Sequence, residues 1–296
     1  ILFVIILIFF STLQAKTPSK FDTAENIANY FSGVILLNEG KYDRSYEYFK
    51  KLDGLEKSHS TFSGKYLYSL INAGNFNQAF NYSRRLEKEN KDSFESDLII
   101  GIYYLKNSKF DYSKNYFQRA KNRNPRSLLD NYIANSLYNW SNLRDGYEKS
   151  YILLDQLDNR FENLKKIQTV FLNCYFNTEK TEILFDELLL NEKTDFSRYN
   201  YFYAKYLESV GSTEKVKTII ENSLKKYPRN LILNQYKIDL ENSEKNFDFD
   251  CKKEQHITAE ILYITANALS SQSIYPLSNF YLNLSKYLNK DFHSFD

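Results

Sequence analysis

The sequence is poor in residues that break helices and in residues that build reactive sites. Its 296 residues include four Pro, eight Gly, two Cys, three His, one Trp and no Met. So few Pro and Gly favour helices, and the length suits either two ordinary domains or one long array. Because translation starts at Met, we expect the sequence to be a fragment that begins after the initiator.

The scarcity of His and Cys excludes most catalytic and metal-binding schemes. His59, His256 and His293 lie singly, and none has a second His or a Cys at the spacing of metal ligands on a helix. The nucleophile elbow, the paired zinc histidines and the dinucleotide-binding glycines do not occur either. We therefore predict no catalytic residue, no metal and no cofactor, and a chain that is not an enzyme.

The two cysteines are far apart along the chain and do not have the spacing of metal ligands. Cys174 lies in an apolar stretch that includes Val170, Phe171 and Tyr175. We predict that it is a buried thiol acting as a small hydrophobic residue. A disulfide to Cys251 is the alternative, which an exported location would permit.

No charge of one sign prevails. The chain has 39 basic and 37 acidic side chains, for a formal net charge of +2. Such a balance provides no strong field towards a phosphate backbone. We expect a protein or peptide as partner and no nucleic acid, although related helical repeats can recognise RNA bases.

The chain has one long hydrophobic run, and it stands at the beginning. Residues 1–10 are uninterruptedly apolar, Ala15 is small, and the sequence turns polar from Lys16. Ten apolar residues fall short of the roughly 20 that span a bilayer. We predict that residues 1–15 are a secretory signal peptide or an uncleaved membrane anchor. The protein would then be exported, either periplasmic or anchored in the inner membrane facing the periplasm, with membrane association through this segment.

A repeat with a period of 34 residues runs through the first part of the chain. Small residues fall at Gly40, Gly74 and Ser108, each 34 positions after the previous one. Four other positions share this period, namely Gly33, Leu67 and Gly101; Tyr42, Phe76 and Phe110; Ser45, Ala79 and Ser113; and Phe49, Ser83 and Phe117. A unit of this length is a pair of helices that must stack on its neighbours to bury its apolar face.

These positions resemble the tetratricopeptide pattern of Gly, Tyr, Ala and Phe with a closing Pro, here Pro125. The resemblance implies an all-α fold, a solenoid of helical hairpins wound into a right-handed superhelix. Arrays of this kind generally bind other molecules and seldom catalyse reactions.

The register divides the chain into segments. We expect three regular units over residues 24–125, degenerate helix pairs over 126–240, a linker over 241–255, and a further pair, cut short, over 256–296. Apolar stripes with helical spacing place individual helices at Leu128–Trp140 and at Tyr275–Leu288, among others.

The resemblance also implies a binding groove, because the first helix of each tetratricopeptide unit lines the concave side of the array. The residues that it places there are Tyr30, Val34, Asn38, Lys65, Tyr68, Asn72, Ile102 and Lys106. Aromatic and aliphatic side chains edged by amides suit an apolar helix or an extended segment. We predict that Tyr68→Glu abolishes partner binding while helicity persists; a loss of helicity would place Tyr68 in the core instead.

Together these features favour a non-catalytic scaffold that binds a partner segment in the groove. The chain stops at Asp296 without the polar capping helix that repeat arrays need. The alternative is therefore a regulatory or substrate-docking array of a larger enzyme that continues beyond residue 296.

Overall fold

The computed structural model describes residues 23–59, 61–123, 127–242 and 248–291. Over these residues the protein consists of fifteen α-helices, three short 3-10 helices and no strand, which confirms the predicted all-α class. The helices are α1 Ala24–Asn38, α2 Tyr42–Lys50, α3 Phe62–Asn72, α4 Phe76–Lys88, α5 Phe94–Lys106, α6 Phe110–Asn122, α7 Leu128–Trp140, α8 Tyr147–Asp155, α9 Glu162–Phe176, α10 Thr181–Leu189, α11 Tyr199–Ser209, α12 Thr213–Lys226, α13 Leu231–Glu241, α14 Glu254–Ser271 and α15 Tyr275–Leu288.

Several sequence predictions fall outside the described residues. They are the signal or anchor segment at 1–15, Pro125 at the end of the third unit, part of the predicted linker, His293, and the end of the last predicted pair. Among the described residues, no helix combines the length and the apolar character needed to cross a membrane.

The 34-residue period marks the turns between paired helices. Gly40 and Gly74 have φ values of +73° and +75°, and Ser108 adopts +55° in the corresponding turn. This left-handed conformation ends the first helix and favours Gly because it has no Cβ. The backbone N–H of the next residue then donates to a carbonyl of the preceding helix, as from Lys41 to Leu36 at 2.8 Å.

Within a hairpin the two helices meet at the small-residue positions. The Ser45 hydroxyl donates to the Gly33 carbonyl at 2.8 Å, and the Ser113 hydroxyl donates to the Gly101 carbonyl at 2.9 Å. A Cβ added at Gly101 would lie 2.4 Å from the Phe117 ring, which is too close for any real contact. The small residues are therefore required for the helices to approach this closely.

The last two helices form a hairpin of the same construction. The Ser278 hydroxyl donates to the Ala266 carbonyl at 2.8 Å, at the same sequence offset as in the first and third hairpins. Ser273 in the intervening turn has a φ of +61°. We call α14–α15 the terminal hairpin.

The terminal hairpin does not simply extend the stack beyond α13. Instead, α15 packs against α1, α3 and α5, and α14 packs against α5 and α7. These are the first helices of the first four hairpins. We call the surface of α1, α3 and α5 that contacts α15 the inner face.

The predicted free thiol at Cys174 is wrong. Cys174 is fully buried, but it forms a disulfide with Cys251, with the two Cα atoms 6.0 Å apart. The apolar surroundings of Cys174 indicated burial correctly. They could not indicate that the segment before α14 returns to the end of α9, because that contact joins residues 77 positions apart.

Candidate functional site

The eight residues that the tetratricopeptide resemblance assigned to a groove lie on the three helices that form the inner face. Tyr30, Val34 and Asn38 lie on α1; Lys65, Tyr68 and Asn72 lie on α3; Ile102 and Lys106 lie on α5. Within each helix they are three or four residues apart, so that they lie on one side of it. The side of α3 and α5 that carries them faces the terminal hairpin.

Tyr68 contacts α15 through its ring. The ring packs edge to face on Phe280, with centroids 4.9 Å apart, and the hydroxyl donates to Oε1 of Glu95 at 3.3 Å. Burial and the nearby Glu95 carboxylate raise the pKa of Tyr68 well above its usual range. Tyr68 is therefore a neutral hydrogen-bond donor beneath α15.

Asn72 and Lys106 bind the main chain at the two ends of α15. Nδ2 of Asn72 donates to the Pro276 carbonyl at 3.0 Å, and Nζ of Lys106 donates to the Leu288 carbonyl at 2.9 Å. The Leu288 carbonyl belongs to the last turn, where the helix has no internal partner and where a cation complements the helix dipole. These two side chains hold a helix by its backbone, without regard to its sequence.

The other five predicted residues are not joined to α15 by such bonds. Ile102 is completely buried in the apolar core, and Tyr30 and Val34 are half-buried and pack against that core. Lys65 is half-buried, and Asn38 is exposed at the end of α1. The structure thus brings Tyr68, Asn72 and Lys106 together under α15.

Two aromatic residues that bind α15 belong to the 34-residue repeat but not to the predicted groove. The Tyr42 hydroxyl accepts a hydrogen bond from Nδ2 of Asn279 at 2.5 Å, and the Phe76 ring stacks on Tyr287 with centroids 3.5 Å apart. Both residues begin the second helix of a hairpin, two positions after the turn residue. The repeat pattern identified this position but could not show that its side chain reaches a distant helix.

An ion pair fixes the other helix of the terminal hairpin. Arg198, the residue before α11, donates to both carboxylate oxygens of Glu260 on α14, at 2.8 and 2.7 Å, and lies over the Tyr263 ring. Burial opposes the charge of Arg198, but the adjacent Glu260 carboxylate raises its pKa. Two buried charges are thus paired with good geometry, as burial of charge requires.

The segment before α14 is attached to the end of α9. Beside the disulfide, Nζ of Lys252 donates to the carbonyls of Cys174 and Tyr175 at 2.9 and 2.8 Å. The Tyr175 hydroxyl donates to Glu254, the first residue of α14, at 2.7 Å. One covalent bond and three hydrogen bonds therefore fix the position from which the terminal hairpin starts.

The site contains recognition chemistry. Its contacts with α15 are ring-to-ring contacts and hydrogen bonds to main-chain and amide groups, all of which bind a helix without reacting with it. Among the described residues, no group of three or more His, Cys, Asp or Glu is placed to hold a metal ion. Neither the models of known protein families nor the sequences of curated proteins match this chain.

Proposed function

We propose that the protein is a non-catalytic protein-binding scaffold of the tetratricopeptide type, whose inner face binds an amphipathic helix of a partner protein. One observation carries the proposal: α15 lies on the inner face in the way that a helical ligand would. Its rings meet Tyr68 and Phe76, and its end carbonyls are bound by Asn72 and Lys106. A helix in a groove is a recurring mode of peptide recognition.

The contacts of α15 define the chemistry of the partner. A suitable segment is a helix of about four turns with aromatic residues seven positions apart, as Phe280 and Tyr287 are. An amide near its beginning, equivalent to Asn279, would donate to Tyr42. The net charge of +2 gives no support for a nucleic acid in this role.

An exported location is part of the proposal. The Cys174–Cys251 disulfide supports it, because disulfides persist mainly in oxidising compartments. The apolar residues 1–10 support it as a signal or anchor segment, with the folded part facing the periplasm.

The test uses the full chain with α15 weakened and the inner face intact. In the Phe280→Ala/Tyr287→Ala variant, a labelled peptide of residues 273–290 should bind saturably. Adding Tyr68→Glu on the inner face should abolish that binding, because it places a charge where an aromatic ring must pack. The matched control is Lys286→Ala in the peptide, since Lys286 is exposed on α15 and its loss should leave binding unchanged.

Circular dichroism separates binding from folding in this test. The proposal fails if the peptide does not bind a variant that keeps its helicity, or if it binds equally well with Tyr68→Glu. Once a partner is identified, deleting its aromatic helix should abolish its binding to the inner face.

A further inference from the structure

The first helix, α1, exposes a stripe of apolar residues on the side that points away from the array. These residues, which we call the outer stripe, are Ala24, Ile27, Ala28, Phe31 and Ile35. The three large side chains of the stripe are 49, 58 and 55% exposed. The stripe runs along the side of α1 opposite Gly33, which faces Phe49 of α2. A contiguous exposed apolar patch of this kind marks an interaction site.

A helix deeper in the array is covered at the same positions. Ser96 and Ile99 of α5 come two 34-residue repeats after Ala28 and Phe31, and both are completely buried. The preceding hairpin packs against α5 through α3 and α4. Because α1 is the first described helix, no preceding hairpin among the described residues covers its outer stripe. The outer stripe is therefore a surface that the stacking of hairpins fits for contact with another helix.

The outer stripe is complementary to a second copy of itself. Four of its residues are spaced by four, three and four positions, which is the spacing of the contact residues of a coiled coil. A two-fold axis at the middle of the stripe, between residues 29 and 30, makes the two helices antiparallel. It places Ala24 of each copy opposite Ile35 of the other, and Ala28 opposite Phe31. Each small side chain then meets a large one, which allows close packing.

The charges of α1 favour this antiparallel pair over other occupants of the stripe. Glu25 is the only charged residue of α1, and a parallel pair would bring two copies of it together. The antiparallel pair separates them by about 14 Å along the helix axis and sets the helix dipoles in opposite directions. Helices that lie on a bilayer surface carry Lys and Arg beside their apolar face. Because α1 contains neither, a second copy suits the stripe better than a membrane.

The area of the outer stripe suits a weak, reversible dimer. The exposed half of an Ile or Phe side chain amounts to on the order of 100 Å², so that with its two alanines the stripe exposes about 400 Å² per copy. Pairing would bury about 800 Å² of stripe in the two copies, and the atoms beside it bring the interface towards the roughly 1,000–1,200 Å² at the low end of specific interfaces. An interface of this size gives a Kd in the micromolar range.

We propose that two copies of the protein associate through their outer stripes as an antiparallel helix pair. The dimer has two-fold symmetry, so that both copies use the same five residues. The outer stripe shares no residue with the predicted groove. The dimer therefore does not depend on the proposed function of the inner face.

Analytical ultracentrifugation of the full chain at micromolar concentrations measures the association. The unmodified chain should show a monomer–dimer equilibrium. Ile35→Glu should raise the Kd about 100-fold or more, because each dimer then buries two carboxylates against apolar surface. The matched control is Ile152→Glu on α8, since Ile152 is 56% exposed and Ile35 is 55% exposed. The control should leave the Kd unchanged. A chain that stays monomeric, or an Ile35→Glu variant that dimerises like the unmodified chain, overturns the proposal.

Cross-linking tests the register of the pair, and it decides even if Ile35→Glu does not fold. Chains with Ala24→Cys and chains with Ile35→Cys should form a disulfide-linked dimer when they are mixed under mild oxidation, and neither should do so alone. Cross-links within one kind of chain would show parallel pairing and overturn the antiparallel dimer.

Two further outcomes assign the outer stripe to another occupant and overturn the proposal. One is a monomer whose α1 amides are protected from hydrogen exchange in the full chain, which would mean that residues 1–22 cover the stripe. The other is a monomer that binds phosphatidylglycerol vesicles and loses this binding in Ile35→Glu but not in Ile152→Glu, which would mean that the stripe contacts a membrane.

Discussion

The small-residue positions show how single residues adapt the hairpins to one another. In the first and third hairpins a Gly on the first helix faces a Phe on the second, Gly101 facing Phe117. In the second hairpin the sizes are exchanged, because Leu67 stands at the Gly position and Ser83 at the Phe position, and both are fully buried. The combined volume is similar, which is how a close-packed interior tolerates substitution.

Gly101→Ala should lower the free energy of unfolding by about 1–3 kcal/mol, because the new Cβ overlaps the buried Phe117 ring. Gly64→Ala is the matched control. Its Cβ would lie 3.7 Å from Glu95, an ordinary contact, and Ala is the better helix former, so stability should stay the same or rise. Denaturant unfolding measures both. Equal effects of the two substitutions would refute the packing argument. Gly101→Leu/Phe117→Ser, which copies the sizes of the second hairpin, should lower the free energy of unfolding less than Gly101→Leu alone.

His256 at the start of α14 should make the protein sensitive to acid. Its Nδ1 accepts a hydrogen bond from the Asp250 N–H at 3.0 Å, and burial, followed by the Lys253 charge, lowers its pKa to about 4. A pKa below the usual 6.5 means that the folded state favours neutral His256. Neutral His256 therefore stabilises the folded state in full above pH 6.5. As the pH falls towards 4 this stabilisation is lost, which lowers the free energy of unfolding by up to about 3 kcal/mol.

Unfolding free energies measured from pH 7 to pH 4 test this expectation. The difference in unfolding free energy between the wild-type protein and His256→Gln should change by about 3 kcal/mol from pH 7 to pH 4, because Gln does not titrate. Parallel pH profiles of unfolding free energy in the two proteins would show that His256 does not cause the sensitivity to acid.

At the scale of helices, ion pairs connect one hairpin to the next. Lys215 of α12 binds Glu182 of α10 at 2.5 Å. Exposed pairs of this kind contribute little, typically up to about 1 kcal/mol. The Arg198–Glu260 pair differs because Glu260 is fully buried and Arg198 largely so, and because it joins the residue before α11 to the terminal hairpin.

Arg198→Met or Glu260→Met alone should therefore cost about 3–5 kcal/mol, because each leaves a buried charge without its main partner. The double variant should cost less than either single one, since both charges are gone and the methionine side chains fill the space. Lys215→Ala provides the exposed comparison and should change the free energy of unfolding far less than either of these substitutions. A double-mutant cycle on unfolding free energies measures the coupling. Additive single effects would show that the two residues do not act as a pair.

At the scale of the whole molecule, local sequence predicted the hairpins but not where the last one goes. Leu128–Trp140 and Tyr275–Leu288 are helices with the predicted bounds, because apolar spacing and turn residues act over a few positions. The tetratricopeptide resemblance placed Tyr68, Asn72 and Lys106 on one side of α3 and α5, and these three side chains contact α15. What covers them was not predictable, since Asn72 and Pro276 are 204 residues apart and such a contact leaves no local pattern.

Phe280→Ala should loosen the attachment of the terminal hairpin to the rest of the chain. The Phe280 side chain is fully buried, and its removal should cost about 3–5 kcal/mol. The radius of gyration from small-angle scattering should increase, and the amides of α3 and α5 should exchange faster. Lys286→Ala, on the exposed side of α15, should change neither quantity. An unchanged radius of gyration and unchanged amide exchange in Phe280→Ala would mean that the Phe280 side chain does not hold the terminal hairpin against the rest of the protein.

The position of the terminal hairpin also imposes an order in time. Lys106 and Leu288 are 182 residues apart, so a ribosome working at about 5–20 residues per second takes roughly 10–40 s to make the second after the first. During that interval the first three hairpins can form, but the helix that covers them does not yet exist. The nascent chain therefore exposes Tyr68 and Phe76 before α15 has been synthesised. A chaperone that binds apolar surface would encounter these residues during that interval.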